Sequence, residues 1–167
     1  MKTTTPQVKL LDCTLRDGGY YNNWDFSLEE AQDYIDNLVR GGVDIIEIGF
    51  RFTPKATSLG PFAYTRESLL ERLDLPRSVQ FGVMVNASDY LGADWQEQLE
   101  AAFVPRAQSR ISLVRIAAHI GQIPRCDALV AWFKDRGYDV GLNVMQISQA
   151  DDAEISALIA DIEARFV

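Results

Sequence analysis

Arg16 and Asp17 stand side by side where an apolar run, Leu10-Leu11-Asp12-Cys13-Thr14-Leu15, gives way to Gly18-Gly19. An apolar run of this length, cut off by glycines, reads as a buried strand. The carboxyl end of a parallel strand is where α/β folds build their sites. A guanidinium and a carboxylate are costly to half-bury there unless they bind something. Arg16 can hold a carboxylate or an enolate by a two-pronged contact, and Asp17 can ligate a hard divalent metal. The same two side chains can also close the strand as an ion pair, and the local sequence does not choose between these readings.

Other polar residues fall late in apolar runs. Glu47 is enclosed in Ile45-Ile46-Glu47-Ile48-Gly49. A carboxylate there must be paired, bound or protonated; it belongs to a site or pairs with Arg16 or Arg51. Arg51 follows at the strand end, as a holder of a substrate anion or as a solvated loop arginine. Asn86 ends Phe81-Gly82-Val83-Met84-Val85, and its amide either binds a substrate oxygen or makes an Asx turn into Ala87-Ser88-Asp89. His119 is the only histidine. It closes Val114-Arg115-Ile116-Ala117-Ala118, and a period of two puts Arg115, Ala117 and His119 on one strand face. Gln122, Asn143 and Gln146 are further polar candidates near the same strand ends.

These residues need a scaffold, and the chain alternates strand-like and helix-like segments. Strands are expected over 8–14, 43–50, 79–85, 111–118 and 140–147. A helix begins after Ser27, a good N-cap followed by Glu29 and Glu30, and stops at Gly41-Gly42. Further helices are expected over 65–73, 94–103, 123–136 and 151–165. Five consecutive βα units without an internal linker predict one domain, residues 1–167, with a parallel sheet and right-handed crossovers. Two architectures fit: an open doubly wound sheet, favoured by length because a full (β/α)8 barrel takes about 250 residues, and the first five units of such a barrel.

Composition removes several function classes. The 167 residues are 47% hydrophobic and 24% charged, with a formal net charge of −8 and a pI of about 4.6. An acidic chain without a Lys/Arg cluster has no electrostatic case for nucleic acid or an anionic membrane. Residues 1–7 contain no apolar h-region of a secretory signal, and no apolar run approaches the ~20 residues of a membrane span. Cys13 and Cys126 are far apart and have no metal-type spacing, so reduced thiols and a cytoplasmic location are expected.

Thr14-Leu15-Arg16-Asp17-Gly18, near the N-terminus on a first strand, resembles the signature of the HMG-CoA-lyase-like superfamily of metal-dependent aldolases and acyl-transferring synthases, the DRE-TIM metallolyases. The closer likeness is to 4-hydroxy-2-oxovalerate aldolase-like proteins, and the string from Leu11 to Phe26 is similar to an aldolase-like branch. The resemblance implies the barrel rather than the open sheet. It implies Asp17 as a ligand of Mn2+ or Mg2+ and Arg16 as the enolate stabiliser, and it adds weight to Glu47 and His119. Tyr20 marks a departure. Related hydroxy-oxo-acid aldolases carry Leu-Arg-Asp-Gly-x-His, with that histidine implicated in acid–base work. A phenol with a pKa near ~10 is a poor base at neutral pH. Tyr20 therefore donates a proton, or Tyr21 or His119 substitutes, or the reaction differs. The family also completes its metal site with a late His-x-His pair, which this chain lacks. The likeness covers nearly the whole chain but only the first part of the family's catalytic domain, so the metal is expected of the complete enzyme and not necessarily of this chain.

The expected function is cleavage or formation of a carbon–carbon bond in a 4-hydroxy-2-oxo acid by a metal-dependent aldolase or lyase, incomplete here. The expected partner is a small 2-oxo acid, with self-association through open sheet edges. The alternative is a non-catalytic partial barrel kept as an interaction or regulatory domain. An open-sheet domain binding a phosphorylated ligand has less support, because no Gly-x-Gly-x-x-Gly follows the first strand.

Overall fold

The computed structural model describes residues 8–166; the stretch read for a signal segment, residues 1–7, lies outside them. In chain order the elements are β1 (Leu11–Asp12), α1 (Thr14–Asn22), α2 (Leu28–Arg40), β2 (Ile45–Phe50), α3 (Glu67–Leu70), β3 (Gln80–Asn86), α4 (Trp95–Ala102), β4 (Ile111–Ala118), α5 (Asp127–Asp135), β5 (Asp139–Val144) and α6 (Asp152–Phe166). All neighbouring strands pair in parallel, and the sheet order is β1-β2-β3-β4-β5.

That order decides between the two architectures. A doubly wound sheet reverses its strand order so that helices cover both faces. A sequential order with right-handed crossovers puts every crossover on the same face. The fold is five βα units of a barrel, a half-barrel with one helix-covered face and one open, concave face; it is not an open doubly wound sheet.

The strand register identifies the two faces. Ile46, Phe81 and Ile111 lie side by side, as do Val83, Val114 and Val140, and Val85, Ile116 and Leu142. Most of these residues are wholly buried, in one cluster with Ala31, Ile35, Leu99, Leu129 and Phe133 from the helices. The alternate rows read Glu47, Gly82 and Leu113, then Met84, Arg115 and Gly141, then Asn86, Ala117 and Asn143. This is the concave face, and it is polar. Leu11, Ile46, Val83, Ile116 and Val144, the central apolar residues of the five strands, therefore do not all share one face. Leu11 shares the row of Ile45 and Gln80 on the concave side, whereas Ile46, Val83 and Ile116 are sealed under helices at 0% exposure. Strands apolar on both faces carry no parity of their own; the polar residues at 47, 115 and 143 are what mark the interior.

Several element boundaries depart from the sequence reading, three of them at the first strand and at two helix starts. The strand expected over 8–14 is only Leu11–Asp12, and Arg16-Asp17-Gly18-Gly19 is helical, not a turn. The helix expected over 65–73 begins only at Glu67, because Thr65 holds a left-handed φ of 36°. The helix expected over 123–136 is split into a 3-10 turn, Ile120–Arg125, containing Pro124, and α5. At α2 the start is as read: Ser27 Oγ accepts from the Glu30 N–H at 3.1 Å and Glu30 Oε2 accepts from the Ser27 N–H at 2.9 Å, a capping box.

Candidate active site

Asp12 turns the chain from β1 into α1. Its Oδ1 accepts the Thr14 N–H at 3.0 Å, and its Oδ2 accepts the Thr14 hydroxyl at 3.0 Å and the Tyr34 hydroxyl at 3.2 Å. The helix so started carries Arg16 and Asp17 in its first turn, at the carboxyl end of β1. Gly19 is required by packing. A Cβ there would lie 2.0 Å from Trp24 Cδ1. The Trp24 indole fills that space and donates from Nε1 to the Arg16 carbonyl at 2.8 Å. Asn23 and Trp24 both sit at a φ of 58°, which ends the helix and folds the indole back over it.

Arg16 is held from several sides. Its Nε donates to Glu47 Oε2 at 2.7 Å, its Nη1 donates to Asp17 Oδ1, and its Cζ lies 5.6 Å from the Phe50 ring centroid. Nη2 donates to no described residue. Burial opposes the charge, but hydrogen bonding and attraction to Glu47, with Asp17 adding to it, leave the guanidinium pKa raised above its ordinary value. Glu47 is fully buried and serves two arginines; Arg115 Nη1 reaches its carboxylate at 3.3 Å, and Arg115 Nη2 donates to Asn143 Oδ1 at 2.7 Å. Arg16 and Arg115 are balanced by Glu47 and Asp17, so the cluster's capacity for an anion rests on the unused Nη2 of Arg16 and not on net charge.

Asp17 is exposed, and its Oδ2 accepts the Cys13 thiol at 3.4 Å. Burial first, then that hydrogen bond, raise the Cys13 pKa, so the thiol stays protonated at neutral pH. Tyr20 packs edge-on to Trp24, ring centroids 4.7 Å apart, with its phenol in the open. Partial burial raises its pKa against the pull of Arg16. It can give a proton at neutral pH and is a poor acceptor.

The remaining candidates spread along the sheet. Asn86 makes no side-chain capping bond, so the Asx turn is not formed. His119 follows Ala117 on the concave-face row and is exposed, its backbone N–H donating to Gln122 Oε1 at 2.9 Å. Together with Met145, Gln146 and Glu154 it borders a cleft of about 250 Å3. No hydrogen bond or ion pair joins it to the Arg16–Glu47–Arg115 group among the described residues. Arg51 belongs elsewhere. It is 1% exposed, and its guanidinium donates to the Thr65 carbonyl at 3.0 Å, the Ala102 carbonyl at 2.9 Å and Glu67 Oε1 at 2.6 Å, 4.5 Å from the Phe103 ring centroid. It is neither solvated nor turned to the concave face; it ties β2 to α3 and α4. Sequence reading missed Asp12 and Trp24. An aspartate two residues before a threonine is a readable turn signal, whereas nothing local to Trp24 announces its contact with Gly19.

The described residues do not fit a metal on their own. No group of three or more His, Cys, Asp or Glu side chains among them is placed to hold an ion, and Asp17 offers one carboxylate already shared with Arg16. A hard divalent ion needs several such donors.

The geometry defines a half-barrel with an arginine–carboxylate cluster at the carboxyl end of its first strands. No family model matches the chain. It is 27% identical over 169 residues to the oxaloacetate decarboxylase of Mycobacterium tuberculosis, a match covering 88% of this chain and 49% of that protein. It superposes on a crystal structure described as the N-terminal domain of a "putative aldolase" from Bacteroides vulgatus with a TM-score of 0.78 and 32% identity, covering 95% of this chain and 52% of that one. The chain thus spans about half the length of the relatives it matches. Among the described residues, no helix is long and apolar enough to cross a membrane.

Proposed function

We propose that this chain is the N-terminal half of a barrel lyase that breaks or forms the carbon–carbon bond beside the ketone of a 2-oxo acid, through an enolate. The observation that carries the reading is Arg16, fixed by Glu47 and Asp17 with Nη2 free, at the carboxyl end of β1. The names of the two similar proteins support it. Loss of CO2 from a 3-carboxylated 2-oxo acid and retro-aldol cleavage both leave an electron pair on the carbon next to the ketone, and a fixed guanidinium stabilises that charge.

For a 4-hydroxy-2-oxo acid the steps balance as follows. A base takes the 4-hydroxyl proton, the C3–C4 bond breaks to give an aldehyde, and its electrons form the enolate at C2–C3. Protonation at C3 then gives the shorter 2-oxo acid. Arg16 faces the enolate oxygen, Arg115 the carboxylate, and Asn86 a neutral substrate oxygen. Tyr20 delivers the proton to C3, and His119 is the proposed acceptor of the hydroxyl proton. Asp17 is offered as one ligand of Mn2+ or Mg2+ in a complete barrel; since the described residues do not complete that site, no step is assigned to the ion. The lack of a ligand cluster among the described residues favours one second reading, a non-catalytic partial barrel.

The test is exchange of the pyruvate methyl protons into D2O, followed by NMR, which needs only the enolate and no knowledge of the aldehyde. A complete barrel containing these residues should catalyse it, and Arg16→Lys should slow it by roughly 100-fold, the cost of losing one oriented donor. No exchange in the complete barrel supports the non-catalytic reading.

A further inference from the structure

A second cavity lies away from the concave-face cluster, between the loop after β2 and the start of α4, with a volume of about 300 Å3. Its walls are aromatic: Phe52, Tyr64 and Tyr90. Its charged lining is Asp94, Glu97 and Arg66, a balance of one negative charge. Glu97 has no partner among the described residues. Arg66 lies 5.9 Å from the Tyr64 ring centroid and makes no ion pair among the described residues. Gln98, also in the lining, donates from Nε2 to Asp94 Oδ2 at 2.7 Å, while its Oε1 is shut off from solvent without a partner.

We propose that this cavity binds a small organic cation, an ammonium group on an apolar or aromatic body. Aromatic faces attract both parts of such a molecule, and the two carboxylates, Asp94 and Glu97, accept its N–H groups. An anion would have Arg66 alone against Asp94 and Glu97. A neutral apolar ligand would leave the Glu97 carboxylate without a partner. The ligand differs in sign from a 2-oxo acid, so the site is distinct from the one around Arg16.

The test is titration of the 167-residue chain with phenethylammonium, 2-phenylethanol and phenylacetate, followed by NMR chemical shifts. The cation should bind saturably and most tightly, shifting Tyr64 and Ala101. Glu97→Gln and Asp94→Asn, both on the exposed surface of the α4 turn, should each weaken it roughly fivefold, at the upper range for an exposed ion pair. Ala101→Phe, which fills the cavity and keeps both carboxylates, should abolish binding while circular dichroism stays unchanged. Equal affinity for the three molecules, tighter binding of phenylacetate, or no saturable binding of any would overturn the proposal.

Discussion

Glu47 is the residue on which the cluster depends most. Its carboxylate is wholly buried, and both Arg16 and Arg115 are fixed by it at side-chain exposures of 13% and 22%. Glu47→Gln removes the charge and keeps the shape. It leaves two partly buried guanidiniums facing a neutral amide, which should cost about 3 kcal/mol, the low end for breaking a buried pair because both arginines keep some water. Urea unfolding measures this; a loss under about 1 kcal/mol would mean that the arginines find solvent instead. Asp17→Asn should weaken Mn2+ binding to a complete barrel by more than the roughly tenfold expected even for loss of an outer-shell partner, whereas Arg16→Lys should lower turnover more than metal affinity, because lysine lacks the planar fork. Calorimetric metal titration of both variants separates the two roles, and unchanged affinity in Asp17→Asn would remove Asp17 from the ligand set. Glu47 and Arg115 were legible in the sequence because each interrupts an apolar strand. Arg51 follows directly on the strand that holds Glu47 and looks alike. What separates them is which face each residue meets, and the irregular register between Glu47 and Gly49 hides that from any count of twos.

At the scale of elements, α2 was readable because its signals are local: a serine, a glutamate three residues later, and a glycine pair at the end. The start of α1 was not. Gly18-Gly19 reads as a breaker, yet Gly19 sits inside a helix because Trp24 occupies the place of its side chain. Gly19→Ala should therefore evict the indole and cost roughly 2 kcal/mol by overpacking, despite the better helix propensity of alanine; a stabilised variant in thermal unfolding would contradict the contact. The start of α5 gives a pH test. Cys126 is fully buried there, and burial first, then Asp127, push its thiol up to about 11 from the ordinary 9.0. A folded-state pKa above the unfolded one means that the folded chain prefers the protonated thiol. The resulting stability is complete below pH 9 and is lost as pH rises from 9 to 11, by about 2 kcal/mol. Urea midpoints from pH 8 to 11 should fall less steeply for Cys126→Ala than for the native chain; parallel slopes would show that the thiol titrates as if exposed.

At the scale of the molecule, alternation of strands and helices made the parallel sheet legible, but the order of its strands was not, since both architectures are written in the same periodicities. The half-barrel has consequences for assembly. β1 and β5 are the edges of the described sheet, and an unpaired edge is a template for another chain. The two edges are unequal. β5 pairs over six residues, whereas β1 pairs over two and so is already blunted. Around β1 and α1, however, Val8, Leu10, Tyr20 and Tyr21 stand exposed at 91%, 59%, 63% and 95%, apolar surface of the kind that marks an interaction site. The apolar core cannot drive association, because helices cover it. Self-association of the chain is therefore expected through the edges together with this apolar segment, at micromolar concentration. Light scattering after size exclusion should report a dimer or larger species, and Leu10→Lys with Tyr21→Ser should shift it toward the monomer, since neither side chain is part of the core. A native chain that stays monomeric across the micromolar range would show that the short β1 edge and the polar concave face protect it, and would sink the expectation.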